Sequence, residues 1–237
     1  MYKNKFILHS AAIALGTLLG ASASYASNGP IRIGVLATLE GPFAQPGQDA
    51  MRGAELALKV HGGKVAGREI ELVKESSNAK PDVAVAKTRK LVELDKVDIV
   101  VGPLSGSEGL AVKEYARTVP GTTFVNGTSA ASDTTLRDPA PNFFRFTMDG
   151  TQWQAGLGSY AYDEKGYKKV AVVSEDYSFP YAQVMGFQSE FCSRGGEVVQ
   201  RAGFQSEPKI TAQLLHDCPL TLMLFTYYWA EPMRSIS

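Results

Sequence analysis

Three observations predict an α/β fold of two Rossmann-like lobes with parallel sheets. Short β-branched runs recur, as expected of strands buried on both faces. Helix-periodic segments alternate with them. The loops after the strands are short and rich in Gly, Pro and Ser, the pattern of a doubly wound sheet.

The elements follow in order. "IRIGVLA" (Ile31–Ala37) reads as a buried strand, and "TLEGPFAQPGQ" as a loop. "DAMRGAELALKV" sets Met51, Ala54 and Leu58 on one helical face and stops at Gly62-Gly63. "REIELVKE" (Arg68–Glu75) alternates like a strand. The next helix carries Pro81 and Asp82 in its first turn, where both are favoured. "VDIVVG" (Val97–Gly102), a helix from about Ser107 to Thr118 and "TTFVN" (Thr122–Asn126) continue the series. "NFFRFT" (Asn142–Thr147) then leads into a long helix, Thr151–Glu164. A second series starts with "KKVAVVSED", a helix over Tyr181–Arg194, Gly195-Gly196, and a strand Glu197–Arg201. The lobe boundary is expected at Phe146–Gly150.

The N-terminus has the form of a cleavable signal peptide over residues 1–26. Lys3 and Lys5 precede an apolar stretch from Phe6 to Leu19, and Ser24-Tyr25-Ala26 offers small residues at a cleavage site. The apolar stretch falls short of the roughly 20 residues that span a bilayer, and no Cys near the site suggests a lipid anchor. The expected mature protein is exported, soluble and periplasmic. The 24 basic and 24 acidic residues balance, without a basic stripe, so nucleic acid is not an expected partner. Cys192 is expected to be a buried free thiol.

Ligands of open α/β sheets bind beyond the strand carboxyl ends, which singles out four loops. In "GPLSGSEG", Gly106 admits close backbone approach, Ser105 and Ser107 carry hydroxyls, and the start of a helix there favours an anion. In "NGTSAASDTT", Thr128 and Ser129 offer hydroxyls. In "EDYSFPYAQ", Tyr177, Phe179 and Tyr181 are suited to wall a pocket. Glu40 and Phe43 follow the first strand. Catalysis is not expected. "GTSAA" is one residue short of a nucleophile elbow, and with His9 in the leader and His216 at the border of the tail, His61 is the only credible imidazole. Metal-ligand spacing and a phosphate-binding Lys are both missing, so neither a metal nor a cofactor is expected.

"IRIGVLATLEGPFAQPGQDAMRGAELAL", "VDIVVGPLSGSEGLAV" and "VAVVSEDYSFPYAQ", in that order, resemble the leucine/isoleucine/valine-binding family of periplasmic solute-binding proteins, over about Ile31 to Leu215. The resemblance implies a periplasmic-binding-protein-like I fold that closes on a small solute, an amino acid or an aromatic or aliphatic carboxylate. It also implies an ABC permease in the inner membrane as partner. An extracytoplasmic sensor of the same fold is the alternative. Family members hold the ligand carboxylate on the loops matching Ser105–Ser107 and Thr128–Ala130, and Tyr177–Tyr181 match the aromatic loop of the second lobe. Three departures bear on the ligand. Pro46 stands where Trp or Tyr is frequent, Gly106 where a carboxylate-binding Ser is frequent, and Ala130 where a Thr often binds.

The last residues, "LTLMLFTYYWAEPMRSIS", follow neither turn nor cap logic. With the free codon bases chosen to suit, a shift of the frame by one base recodes Cys218–Ser237 into a turn, a buried strand, a Gly pair and a helix start. The sequence is therefore read as a first lobe over residues 27–148, a partial second lobe over 149–217 and a frameshifted tail over 218–237. The second lobe and the return crossovers are then incomplete. Binding is expected to be impaired, or lost as in a pseudogene product, with the tail filling one strand slot through its apolar character.

Overall fold

The computed structural model describes residues 29–204 and 223–226. The expected signal peptide, Cys218 and all of the tail except Met223–Thr226 lie outside the described residues. The first lobe grows around β1 (Ile31–Thr38). Its neighbours are β3 (Arg68–Ser77) and β4 (Ile99–Val101), both parallel to it. β5 (Thr123–Asn126) and β6 (Phe143–Arg145) continue in parallel, and β2 (Lys64–Val65) turns back antiparallel on β3. The order is β2-β3-β1-β4-β5-β6, so chain direction across the sheet reverses between β1 and β4.

Strand alternation sorts the helices. Leu36, Val100, Phe124 and Phe143 face α2 (Pro81–Arg89) and α3 (Gly106–Ala116), forming the largest core cluster with Ala84, Leu91 and Val112. Val35 and Ala37 face the other way and pack under Met51 of α1 (Ala44–Val60). α1 begins well before the expected Asp49, because Pro46 falls in its first turn, where the missing N–H is not needed. From Gly41 onward, what reads as a Gly/Pro loop is a 3-10 turn that runs into α1. Gly47 is required there: a Cβ would lie 1.6 Å from the Thr38 carbonyl oxygen.

The chain passes between the sheets from Arg145 to Gly150. The expected long helix is broken into α4 (Gly150–Trp153), α5 (Leu157–Ser159) and a wider turn, Tyr160–Glu164. The break sits at Gly156, whose φ of +87° is left-handed. Glu190 of α6 (Ser178–Ser193) accepts from Gly156 N at 2.8 Å and Ser159 N at 3.2 Å. The Gly156 amide bond holds its pKa below the usual carboxylate range, against the opposing effect of desolvation.

The second sheet has the order β8-β7-β9, all parallel, with β7 (Lys169–Glu175) central between β8 (Glu197–Phe204) and β9 (Met223–Thr226). The tail thus supplies one strand, pairing Met223 through Thr226 with Ala171 through Ser174. Phe187 and Phe191, stacked at 5.3 Å, anchor the core with Val170 and Val172. Cys192 is free and exposed, not buried, because Phe187 and Phe191 take the inner face of α6.

Candidate functional site

The site is built around the carboxyl ends of β1 and β4, where the strand order reverses. Ser105, two residues before Ser107, is the N-cap of α3. Its Oγ accepts from Glu108 N at 3.2 Å, and its N donates to Glu108 Oε2 at 3.0 Å. The same Oε2 accepts from Thr38 Oγ1 at 3.3 Å, and Thr38 meets Ser77 Oγ at 3.0 Å. One fully buried carboxylate therefore fixes the ends of β1 and β3 against the start of α3. The capping box engages the amides of Ser105 and Glu108, which leaves those of Gly106 and Ser107 as first-turn donors for an outside acceptor.

The loop after β5 is tied to the passage between the sheets. Gly150 N donates to Ala130 O at 2.7 Å, and Arg145 Nη1 donates to Ala131 O at 3.1 Å. Arg145 also pairs with Asp149 at 3.3 Å, both side chains buried, while Asp149 caps α4 through Gln152 N at 3.0 Å. A charge pair this deep is costly to break by removing one partner.

Between these loops and the start of α6 lies a cavity of about 220 Å³. Its first-lobe wall is formed by Phe43, Pro46, Asp49, Leu104, Ser105, Gly106, Thr128 and Ala130. Trp153, Tyr177 and Phe179 form the second-lobe wall. The rings make a chain: Phe43 meets Tyr177 edge-on at 6.1 Å, Tyr177 lies 6.4 Å from Phe179, and Phe179 meets Trp153 edge-on at 5.3 Å. The lobes touch at Gly106, where a Cβ would come within 3.0 Å of Phe179 N and 2.8 Å of Ser178 Oγ. Only glycine allows that approach.

The structure thus brings Ser105, Gly106, Thr128, Phe43, Tyr177 and Phe179 onto one cavity. Ser107 stands beside it, its Oγ 3.1 Å from Ser178 Oγ across the lobes. Ser129 is fully buried and turned toward Gly109, away from the cavity. Tyr181 is exposed, with its hydroxyl on Asp176, and borders a second hollow with Leu110 and Met185. Glu40 is exposed and off the wall. Sequence reasoning missed Asp49 and Trp153. The Asp149…Gln152 capping signature was legible and sets Trp153 at the end of the first turn after the passage. Asp49 becomes visible only once α1 is known to include Pro46. Among the described residues no group of His, Cys, Asp and Glu could hold a metal ion, and no Lys or Arg lines the cavity.

A family model described as periplasmic binding protein matches residues 30–216. The chain belongs to that family. It is 29% identical to Leu/Ile/Val-binding protein homolog 6 of Brucella abortus, over 77% of this chain and 45% of the relative. A solved ABC transporter substrate-binding protein from Sphaerobacter thermophilus is 33% identical with a TM-score of 0.69, over 79% of this chain and 51% of the other. A solute-binding protein of an ABC transporter from R. palustris, solved with benzoate, is 28% identical with a TM-score of 0.73, over 79% and 52%. The chain therefore spans about half the length of these relatives. They are substrate-binding proteins, which are not enzymes. Within the family's frame, the cavity is bounded by the switch point of the first sheet and the first strand–helix turn of the second.

Proposed function

We propose that this chain binds a small carboxylate in the cavity between its lobes, as the solute-binding component of an ABC importer. The carrying observation is the join of an anion-suited helix start with a wall of aromatic rings. The Gly106 and Ser107 amides and the Thr128 hydroxyl offer hydrogen bonds to a carboxylate, helped by the dipole of α3. Phe43, Tyr177, Phe179 and Trp153 offer apolar contact to the rest of the ligand. A dry cavity of about 150 Å³ accepts benzene, so about 220 Å³ suits a single ring or a branched aliphatic chain bearing a carboxylate. The names of the relatives support both classes, Leu/Ile/Val and benzoate.

In this reading residues 1–26 export the chain to the periplasm, and a permease of the inner membrane receives the solute. The lobes are residues 27–148 and 149–217, and residues 218–237 are the product of a frameshift. Melting curves with leucine, isoleucine and benzoate at millimolar concentration test the reading. A ligand that binds only the folded state raises the melting temperature. No shift with any of them refutes it.

A further inference from the structure

The two walls of the cavity stand on different lobes, yet one side chain grips the supports of both. Arg145 ends β6, just before the chain passes between the sheets, and its side chain is 7% exposed. Nη1 donates to Ala131 O at 3.1 Å, beside Ala130 of the first-lobe wall, and more weakly to Thr134 Oγ1 at 3.4 Å. Nη2 donates to Asp149 Oδ2 at 3.3 Å. The other oxygen of Asp149 caps α4, which carries Trp153 on the second-lobe wall. The loop after β5 is held at three successive carbonyls: Ser129 O by Asn126 Nδ2 at 2.7 Å, Ala130 O by Gly150 N at 2.7 Å, and Ala131 O by Arg145. Beyond the passage α4 is seated on α6. Ser132 Oγ meets Thr151 Oγ1 at 3.0 Å, and Thr151 Oγ1 donates to Ala182 O at 3.2 Å. A Cβ on Gly186 of α6 would lie 2.4 Å from Thr151 O, so the two helices already touch.

We propose that Arg145 is a positioning residue for ligand binding: by holding Ala131 and Asp149 at once, it sets Thr128 and Ala130 of one wall against Trp153 of the other. Arg145 itself does not line the cavity. A guanidinium suits the place because it is planar and its donors lie in a fixed fork. A carbonyl and a carboxylate bound to it therefore keep a set spacing and angle. The effect on affinity rests on the small-carboxylate reading above, whereas the spacing of the walls can be read without a ligand.

Two variants and two readouts test this in a full chain carrying Trp229→Phe, where Trp153 is the sole indole. Arg145→Lys keeps a charge beside Asp149 but loses the fork. Arg145→Met combined with Asp149→Asn removes both charges, leaves no buried ion unpaired and keeps a capping side chain on α4. The urea midpoint of that double variant should stay near that of the chain with Arg145 intact. In both variants the emission of Trp153 without ligand is expected to shift to the red as the ring loosens from Phe179. Affinity for benzoate and leucine, titrated without urea, is expected to fall about ten-fold for whichever of them binds. A role in stability alone would lower the urea midpoint and leave emission and affinity as they were. Unchanged emission overturns the proposal, as does unchanged affinity for a ligand that binds. If the chain with Arg145 intact binds neither benzoate nor leucine, the small-carboxylate reading falls by itself. The emission of the variants then decides the role of Arg145, a red shift supporting it and no shift overturning it.

Discussion

The two walls of the cavity are held in place by different means. On the first-lobe side the polar groups sit on loops, and hydrogen bonds fix them: Glu108 ties Ser105 and Thr38, and Arg145 ties Ala131 and Asp149. On the second-lobe side the groups are rings, fixed by packing: Phe179 against Trp153 and the Gly106 surface, Tyr177 against Phe43. Hydrogen bonds are directional and set orientation, while ring packing gives area that depends on how closely the lobes approach. The comparison teaches that the first lobe orients a ligand and the second encloses it. Each wall should then fail in its own way.

The largest effect is expected at the packed wall. Phe179→Ala removes a buried ring from the lobe contact and should cost about 3 kcal/mol of stability, read as a lower urea midpoint, together with loss of measurable ligand binding. An unchanged midpoint would mean that the second-lobe wall is not held by packing. At the hydrogen-bonded wall, Glu108→Ala leaves Ser105 N–H and Thr38 Oγ1 without their shared acceptor and should cost about 1–3 kcal/mol. Glu108→Gln, close in shape, should recover part of that loss. Gly106→Ala probes the junction between the walls. Its Cβ forces Phe179 and Ser178 back, so affinity should drop about ten-fold while stability falls by about 1–3 kcal/mol.

A smaller effect tracks pH. The folded-state pKa of Glu190 is depressed by the Gly156 amide bond. Its contribution is present above the unfolded carboxylate value of about 4.3 and is lost as pH falls through the lower folded value. Between about pH 5 and pH 3 the unaltered chain should lose more stability than Glu190→Gln does, and parallel curves would remove Glu190 from the account. Tyr181→Phe, off the cavity, should leave ligand affinity unchanged and stability within about 0.5 kcal/mol.

Much of this arrangement was legible in the sequence, for physical reasons that also explain the gaps. Buried parallel strands leave β-branched runs, so Ile31–Thr38 and Lys169–Glu175 stood out, and glycine pairs marked where α1 and α6 stop. Loops at strand carboxyl ends pointed to Ser105, Gly106, Thr128 and Phe179. Side-chain phase within those loops was not legible. Successive residues of an extended segment face opposite ways, and nothing local says that Thr128 and Ala130 turn to the cavity while Ser129 turns to Gly109. Pro46 hid the start of α1 because a proline in a first helical turn reads like a loop, and Asp49 was hidden with it. The broken helix at Gly156 escaped because a lone glycine is often tolerated within a helical pattern.

The central claim, that the cavity between the walls receives a small carboxylate, is tested most directly by Trp153. The sequence holds two Trp residues, and a Trp229→Phe chain leaves Trp153, on the cavity wall, as the sole indole. The account predicts a saturable change in its emission as benzoate or p-hydroxybenzoate is added, and none once Gly106→Val holds the walls apart. A flat response to aromatic acids and branched-chain amino acids alike, up to millimolar concentration, would contradict it.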